Sequence, residues 1–99
     1  MKSKNIAKVS KKISLEEVFS SRGRAKILEV LAKNNEMNIS EIIKRTSLNH
    51  SSAKCHLKSL EDLGFIQEKI FGRIKIYRFR TEEINARALK NLINLWSAE

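Results

Sequence analysis

Several segments of this chain have apolar residues at helical spacing. Most of these segments start beside a residue that suits a helix N-cap. Ser14, with Glu17 three positions later, has the form of a capping box and predicts a short helix through Phe19. Ser21 is the next predicted N-cap. The apolar residues after it are spaced three and four apart, which predicts a longer helix that ends near residues 34–35.

Two further helices are predicted to follow at short intervals. A short extended piece, residues 37–39, leads into a helix of about two turns with Ser40 as its expected N-cap. A polar turn over 46–49 then precedes a helix that begins after the N-cap Asn49 and ends before Gly64, which suits the C′ position. The buried stripe of that helix is expected to be Leu57, Leu60 and Leu63.

The periodicity changes between residues 65 and 80. Two β-prone runs, 65–71 and 73–80, meet at Gly72, which predicts a hairpin. A last helix is predicted from Glu82, capped by Thr81, to about residue 97. The order predicts a mainly α (α+β) fold, a winged helix-turn-helix with a two-stranded β-hairpin wing and a C-terminal dimerisation helix.

The charge of the chain narrows the classes of partner. Twenty basic and eleven acidic residues among 99 give a net charge of +9, which favours a polyanion and above all nucleic acid. No apolar run approaches the length of about 20 residues that a membrane helix needs, and no signal-peptide core is visible, so no membrane partner is expected. A single cysteine excludes an internal disulfide. We therefore expect a cytoplasmic, nucleoid-associated protein.

The chain divides into three predicted parts. Residues 1–13 form a basic arm that we expect to be disordered, 14–81 form the DNA-binding domain, and 82–99 form the dimerisation helix. No phosphate-binding glycine loop, paired carboxylates or Ser–His–Asp arrangement stands out, so an enzyme is not expected.

The helix predicted over 49–63 has a narrow, polar outer face. With Ala53 and the leucine stripe turned inward, Ser51, Cys55 and Lys58 point outward, and Ser52 and Lys54 flank them. An α-helix is about 10–12 Å across with its side chains, and the major groove of B-DNA is about 12 Å wide. Small polar residues on this face would therefore let the helix enter the groove.

The chain resembles the ArsR-like winged helix-turn-helix transcriptional regulators, of archaeal type, over about residues 15–97. The resemblance is carried by Ser21-Arg-Gly-Arg-Ala-Lys-Ile-Leu, Ile39-Ser-Glu-Ile-Ile, Ser51-Ser-Ala-Lys-Cys-His-Leu-Lys-Ser-Leu-Glu-Asp-Leu-Gly-Phe-Ile and Gly72-Arg-Ile-Lys-Ile-Tyr-Arg-Phe. It implies a homodimer that binds double-stranded DNA, with helix 49–63 in the major groove and wing 69–75 on the backbone or minor groove. The implied DNA-binding residues are Ser51, Ser52, Lys54, Cys55, Lys58, Lys69, Arg73 and Lys75.

The last helix carries more apolar residues than the outer face of a small monomer should show. We expect it to form a dimer seam together with the helix that follows Ser21. Such a two-fold dimer would present its recognition helices to successive major grooves, about 34 Å apart, and would prefer a near-palindromic site. The predicted interface residues are Ile84, Ala88, Leu92, Leu95 and Trp96.

The adjacent Cys55 and His56 raise the alternative of a metal or redox site. Neighbouring residues on a helix point about 100° apart, so these two are poorly placed to share one ion. The resemblance implies that a metal would be held by cysteines of the helix predicted after Ser40 or by side chains of the last helix. The first of these helices has no cysteine, and the last helix offers only Glu82 and Glu83 as ligands. We expect no metal and no other cofactor. His56 is predicted to pack at the edge of the core with a hydrogen bond, and redox control through Cys55 is a hypothesis.

Two other functions are compatible with the pattern. A winged helix can act as a protein–protein module in a transcription or replication assembly, with its charge serving only solubility. A sequence-indifferent chromatin protein is favoured by the Lys-rich arm and by Cys55, which stands where many relatives carry Arg or another long polar residue. Cysteine lacks the planar guanidinium group with which arginine reads guanine through two hydrogen bonds, so DNA shape and phosphate contacts would dominate recognition.

Overall fold

The computed structural model describes residues 14–98, and the arm predicted over 1–13 lies outside this range. The elements, in chain order, are α1 (Leu15–Val18), α2 (Arg22–Lys33), β1 (Met37–Asn38), α3 (Ile39–Thr46), α4 (His50–Asp62), β2 (Ile66–Phe71), β3 (Ile74–Phe79) and α5 (Ile84–Ser97). None of these helices is long and apolar enough to cross a membrane.

Three of the predicted N-caps are confirmed. The Ser14 hydroxyl accepts the backbone N–H of Glu17 at 3.1 Å and starts α1. Ser21 accepts the N–H of Arg24 at 3.0 Å, and α2 begins directly after it. The third cap, at Asn49, starts α4. Each cap satisfies one N–H that the first helical turn leaves without a partner.

The predicted start of α3 is wrong, because Ser40 lies inside the helix. The N-cap is Asn38, whose side chain accepts the N–H of Glu41 at 2.9 Å, while the Glu41 carboxylate accepts the N–H of Asn38 at 3.1 Å. This reciprocal pair is a capping box, which requires a spacing of three residues. Asn38 has that spacing from Glu41 and Ser40 does not.

The hairpin is confirmed, but the sheet contains one strand more than predicted. β2 and β3 pair antiparallel from Ile66↔Phe79 to Phe71↔Ile74. Gly72 opens the two-residue turn with a φ of +62°, a conformation that glycine adopts without strain. β1 adds to the other edge of β3, giving the order β1-β3-β2. The extended piece predicted over 37–39 is confirmed at Met37–Asn38, whereas its pairing with β3 joins residues far apart in the chain and does not follow from the local pattern.

The predicted cap of α5 is also wrong. The helix begins at Ile84, with Glu83 at the N-cap position and no side-chain cap bond. Thr81 uses its backbone carbonyl instead, which accepts the Arg87 guanidinium at 3.0 Å.

The core lies between α2, the inner faces of α4 and α5, and the sheet. The predicted leucine stripe of α4 is confirmed at Leu57 and Leu60, whereas Leu63 is only partly buried. Tyr77 and Phe79 bring the inner face of β3 into the same core. The buried apolar side chains of α2 are Ile27, Leu28, Leu31 and Ala32.

Candidate nucleic-acid interface

α4 lies on the body of the protein through one face and leaves the opposite face in solvent. Ala53, Leu57 and Leu60 are buried. Of the predicted DNA-binding residues on this helix, Ser51, Lys54, Cys55 and Lys58 are exposed and Ser52 is partly buried. The structure thus brings these five side chains together on one narrow, polar and cationic surface.

The turn before α4 is held by hydrogen bonds within a few residues. Ser47 ends α3 with a left-handed φ of +62°, and its N–H donates to the carbonyl of Ile43 at 2.9 Å. The buried Thr46 hydroxyl donates to the carbonyl of Ile42 at 2.7 Å. The Asn49 side chain then accepts the N–H of Ser52 at 2.8 Å. These bonds fix the direction in which α4 leaves the turn.

A close contact between α2 and α4 sets the position of α4. A Cβ atom on Gly23 would lie 2.7 Å from Nε2 of His56 and 3.3 Å from Cδ2 of Leu48. Only glycine lets the two helices approach this closely without displacing the imidazole.

His56 is partly buried at this contact, as predicted, but it makes no side-chain hydrogen bond within residues 14–98. Burial first, and the charge of Arg24 second, lower the pKa of His56 below its usual value of 6.5. The imidazole therefore acts as a neutral wedge between the two helices. Cys55 faces solvent instead, so the two neighbours do not form one site.

The wing and α4 enclose a polar cleft of about 240 Å³, lined by Lys54, Lys58, Glu61, Glu68, Lys75 and Tyr77. The Tyr77 hydroxyl donates to Oε2 of Glu68 at 2.8 Å, and Nζ of Lys75 lies 4.0 Å from the same oxygen. Burial and the neighbouring Glu68 carboxylate raise the pKa of Tyr77, which keeps the phenol neutral and donating. The Tyr77–Glu68 bond ties the two strands together on the side of the wing that faces α4.

The predicted basic residues differ in how free they are to meet a ligand. Lys58 forms a 3.4 Å pair with Asp62, and both side chains are well exposed, so the pair contributes little and exchanges readily. Lys69 donates to Glu36 at 2.7 Å and lies 5.7 Å from the centre of the Phe71 ring. Within residues 14–98, Lys54 and Arg73 form no ion pair. Lys69 is thus the least available cation of the predicted set.

Sequence reasoning missed two groups of residues. Lys44 and Arg45 are exposed in the last turn of α3, directly before the turn that leads to α4. Their position in the first helix of the helix-turn-helix was the available signal, since that helix crosses the DNA backbone in such motifs. The second group consists of Ile70, Phe71 and Ile74, which are exposed at the end of the wing, where a projecting hairpin would be expected to show polar residues.

The second exposed surface lies on α5 and α1. The predicted interface residues of α5 are all exposed, and the exposed fraction of the four large ones ranges from 51% for Leu92 to 79% for Trp96. Leu15 and Phe19, at 69% and 43% exposed, add apolar area beside them. Leu92 lines one groove with Leu15 and a second groove with Phe19 and Trp96. We call this set the α1/α5 surface: Leu15, Phe19, Ile84, Ala88, Leu92, Leu95 and Trp96.

The helix after Ser21, which is expected to share the dimer seam, is α2, and its apolar side chains lie in the core. Ile27, Leu28, Leu31 and Ala32 of α2 are consumed by the core, and Glu29 is the residue of α2 that reaches the groove beside Trp96. The exposed apolar side chains beside α5 belong to α1 instead.

No cluster of three or more His, Cys, Asp or Glu side chains within residues 14–98 is arranged to hold a metal ion.

Comparison with known proteins finds a family match for part of this arrangement. Residues 21–68, from the start of α2 into β2, match the family model described as bacterial regulatory protein, arsR family. This segment therefore resembles the helix-turn-helix domain of the ArsR family. The matched residues include the whole of α4 but exclude β3 and α5. No curated protein sequence matches the chain.

Solved structures share the fold over a longer stretch. HlyU from Vibrio cholerae is 21% identical, with a TM-score of 0.75 and coverage of 93% of this chain and 97% of HlyU. The transcriptional repressor BigR from Xylella fastidiosa is 17% identical, with a TM-score of 0.70 and coverage of 93% and 88%. The homodimeric winged helix-turn-helix DNA-binding domain of Mb0332 from Mycobacterium bovis is 23% identical, with a TM-score of 0.67 and coverage of 82% and 72%. The segment that matches the ArsR family is therefore part of a winged helix-turn-helix fold that includes the wing and α5.

Proposed function

We propose that this protein is a homodimeric transcription regulator that binds double-stranded DNA with sequence preference, and that it is not an enzyme. The observation that carries the proposal is the outer face of α4, where small polar and lysine side chains form an exposed surface beside a wing. The ArsR-family match covers the same helix. A cytoplasmic, nucleoid-associated location follows from this function.

In the proposed complex α4 enters the major groove with Ser51, Cys55 and Lys58 toward the base edges. Ser51 and Cys55 are short, so the helix backbone can approach the bases closely. Lys58 can release Asp62 and reach a base edge or a phosphate, because an exposed pair of this kind is weak.

Other side chains would hold the protein on the phosphate backbone. Ser52 and Lys54 are placed for this at the edge of α4. Lys44 and Arg45 lie where the first helix of the motif crosses the backbone. On the wing, Arg73 and Lys75 are exposed close to the turn. Lys69 contributes only if DNA draws it away from Glu36.

Dimerisation is proposed to occur through the α1/α5 surface. Its exposed aromatic and aliphatic side chains are of the type that contributes most to stable homodimer interfaces. The homodimeric state of the Mb0332 domain supports this assignment by analogy. A two-fold dimer would place the two copies of α4 in successive major grooves about 34 Å apart.

Selection of bound duplexes from a random DNA pool tests this function. The expected result is a near-palindromic consensus whose half-sites are separated by about one helical turn. Affinity for that duplex should fall by about 10³–10⁵ between 50 and 200 mM salt if roughly 6–10 phosphates are contacted. Absence of any DNA binding at physiological salt would refute the proposal and favour a protein-docking module.

A second candidate, a sequence-indifferent DNA-binding protein, is favoured by one observation. α4 contains no arginine over His50–Asp62, so the bidentate contact that most often reads guanine is unavailable to it. Competition between the selected duplex and random DNA separates the two functions. Equal competition, together with no enriched sequence in the selection, would favour the second candidate.

A further inference from the structure

The free end of the wing carries exposed apolar residues on both faces of the hairpin. The last two strand pairs before the turn are Ile70↔Lys75 and Phe71↔Ile74. Three of these four positions are therefore large and apolar, and they are 60%, 57% and 54% exposed for Ile70, Phe71 and Ile74. We call these three residues the wing tip.

The wing tip has no evident role in folding. The buried part of the hairpin ends at Tyr77 and Ile66, which lie nearer the core. A projecting ribbon normally carries charge at such positions, because exposed apolar strands promote aggregation. Among the described contacts, the one specific interaction is that of the Lys69 ammonium with the Phe71 ring, at 5.7 Å from its centre. The exposed apolar area therefore points to a partner outside the chain.

The charge around the wing tip indicates the class of partner. Residues 69–75 contain Lys69, Arg73 and Lys75 and no acidic residue. Arg73 lies in the turn itself, is exposed, and has no ion pair within the described part of the chain. An apolar centre with cations beside it complements a polyanion that also offers apolar surface. The minor groove of DNA has this combination, with phosphates on both rims and sugars and base edges within.

The position of the wing fits the same partner. The cleft between α4 and the wing places Lys54 and Lys58 on one wall and Lys75 on the other. The wing tip lies beyond this cleft, at the end of the strands. In the proposed complex, where α4 occupies a major groove, the wing would lie on the backbone or the minor groove beside it.

We infer that the wing tip is an apolar wedge that enters this flanking minor groove and partly unstacks one base step, with Phe71 and Ile74 as the inserted pair. Apolar side chains that enter the minor groove kink the duplex toward the major groove. Flexible pyrimidine–purine steps unstack at the lowest energetic cost. The wedge thus adds selection for a deformable flanking step, which offsets the absence of arginine on α4. This inference rests on the proposed function.

The test uses the full chain and the duplex recovered by the selection. Adenines at the flanking pyrimidine–purine steps are replaced in turn by 2-aminopurine, whose fluorescence rises when the base unstacks, and the duplex ends carry an energy-transfer dye pair. Wild-type protein should raise the fluorescence at one step in each half-site and bring the dyes closer.

Two matched variants separate the wedge from simple attraction. The F71S/I74S variant should lose the fluorescence rise and the bend, and its affinity should fall about tenfold, the scale of one lost base-pair contact. F71L/I74L keeps the tip apolar and should retain both signals. Because no charge is removed, F71S/I74S should leave the salt slope unchanged, whereas Arg73→Gln should reduce the slope by about one.

The outcomes distinguish the two levels of the hypothesis. Selective binding by wild type without unstacking or bending overturns the wedge and leaves the proposed function intact. Unchanged affinity and bending in F71S/I74S also overturn it, and the wing tip would then be a surface for a protein partner. If no duplex is bound, the proposed function fails and the wedge fails with it. Equal thermal melting of wild type and the three variants confirms that the exposed substitutions preserve the fold.

Discussion

Cys55 and His56 are adjacent in the chain, yet they have different environments. Cys55 faces solvent on the outer side of α4, whereas His56 is wedged against the backbone of Gly23. Neighbouring residues of an α-helix point about 100° apart, which explains the different environments of the two side chains. Each residue can therefore be tested separately.

Cys55 is the chain's single cysteine and therefore a natural probe of the recognition face. Attachment of a bulky maleimide to Cys55 should abolish specific DNA binding, because the adduct would occupy the space between α4 and the base edges. The measurement is a DNA titration with labelled and unlabelled protein. Cys55→Ser, treated in the same way, should bind normally. Unchanged affinity after complete labelling would contradict both the major-groove placement and redox control through this thiol.

The lowered pKa of His56 predicts that the stability of the fold depends on pH. The pKa of His56 is lower in the folded protein than the usual 6.5 of an unfolded chain, so the unfolded chain binds the proton more readily. The contribution to the free energy of unfolding is present above about pH 6.5 and is lost as the pH falls toward the folded pKa. Urea unfolding at about pH 7.5 and about pH 5.5 should show this loss.

His56→Gln should make the free energy of unfolding less dependent on pH over that interval. His50→Gln is the matched control, because His50 is exposed at the start of α4 and is not part of the helix contact. An identical pH dependence in wild type and His56→Gln would show that the partly buried imidazole does not cause the loss of stability at low pH.

Among the elements, those whose ends depend on nearby residues were predicted well. The caps at Ser14, Ser21 and Asn49 each act on an N–H three residues away. The hairpin needed only two β-prone runs and a glycine at Gly72. The start of α3 was predicted wrongly at Ser40, because the competing cap Asn38 is also the last residue of a two-residue strand.

The true cap of α3 is testable by a paired substitution. Asn38→Ala should lower the free energy of unfolding by about 1 kcal/mol, because it removes the bond that satisfies the Glu41 N–H. Ser40→Ala should have a small effect, within about 0.5 kcal/mol, since Ser40 is exposed inside the helix and alanine has the higher helix propensity. Urea unfolding of both variants measures the difference. A larger loss for Ser40→Ala would contradict the observed capping box.

At the scale of the whole molecule, one side of the protein carries the candidate DNA-binding elements and another carries unpartnered apolar area. The α1/α5 surface combines α1 with α5, and the residues with the highest exposed fractions on it are Leu95 and Trp96. A domain of 99 residues has a thin core. Association of two chains would therefore add substantially to stability as well as set the spacing of the recognition helices.

Leu92→Glu should convert the dimer to monomer, because the new carboxylates would be buried without a partner in the interface. Asn94→Glu is the matched control. It adds the same charge on the same helix, but two residues on, which turns it about 160° away. Sedimentation measures the oligomeric state, and a DNA titration should show that only Leu92→Glu loses affinity for the two-half-site duplex. A dimeric Leu92→Glu variant would show that this surface is not the interface.

The sequence by itself determined the helix periodicity, most of the caps, the hairpin and the polar outer face of α4. These features arise between residues a few positions apart, where spacing alone decides which atoms can meet. The tertiary structure decided the addition of β1 to β3, the tight approach of Gly23 to His56 and the pairing of Lys69 with Glu36. Each of these joins residues more than 30 positions apart. Sequence spacing does not encode such contacts, because they depend on how the packed helices and sheet are placed around one core.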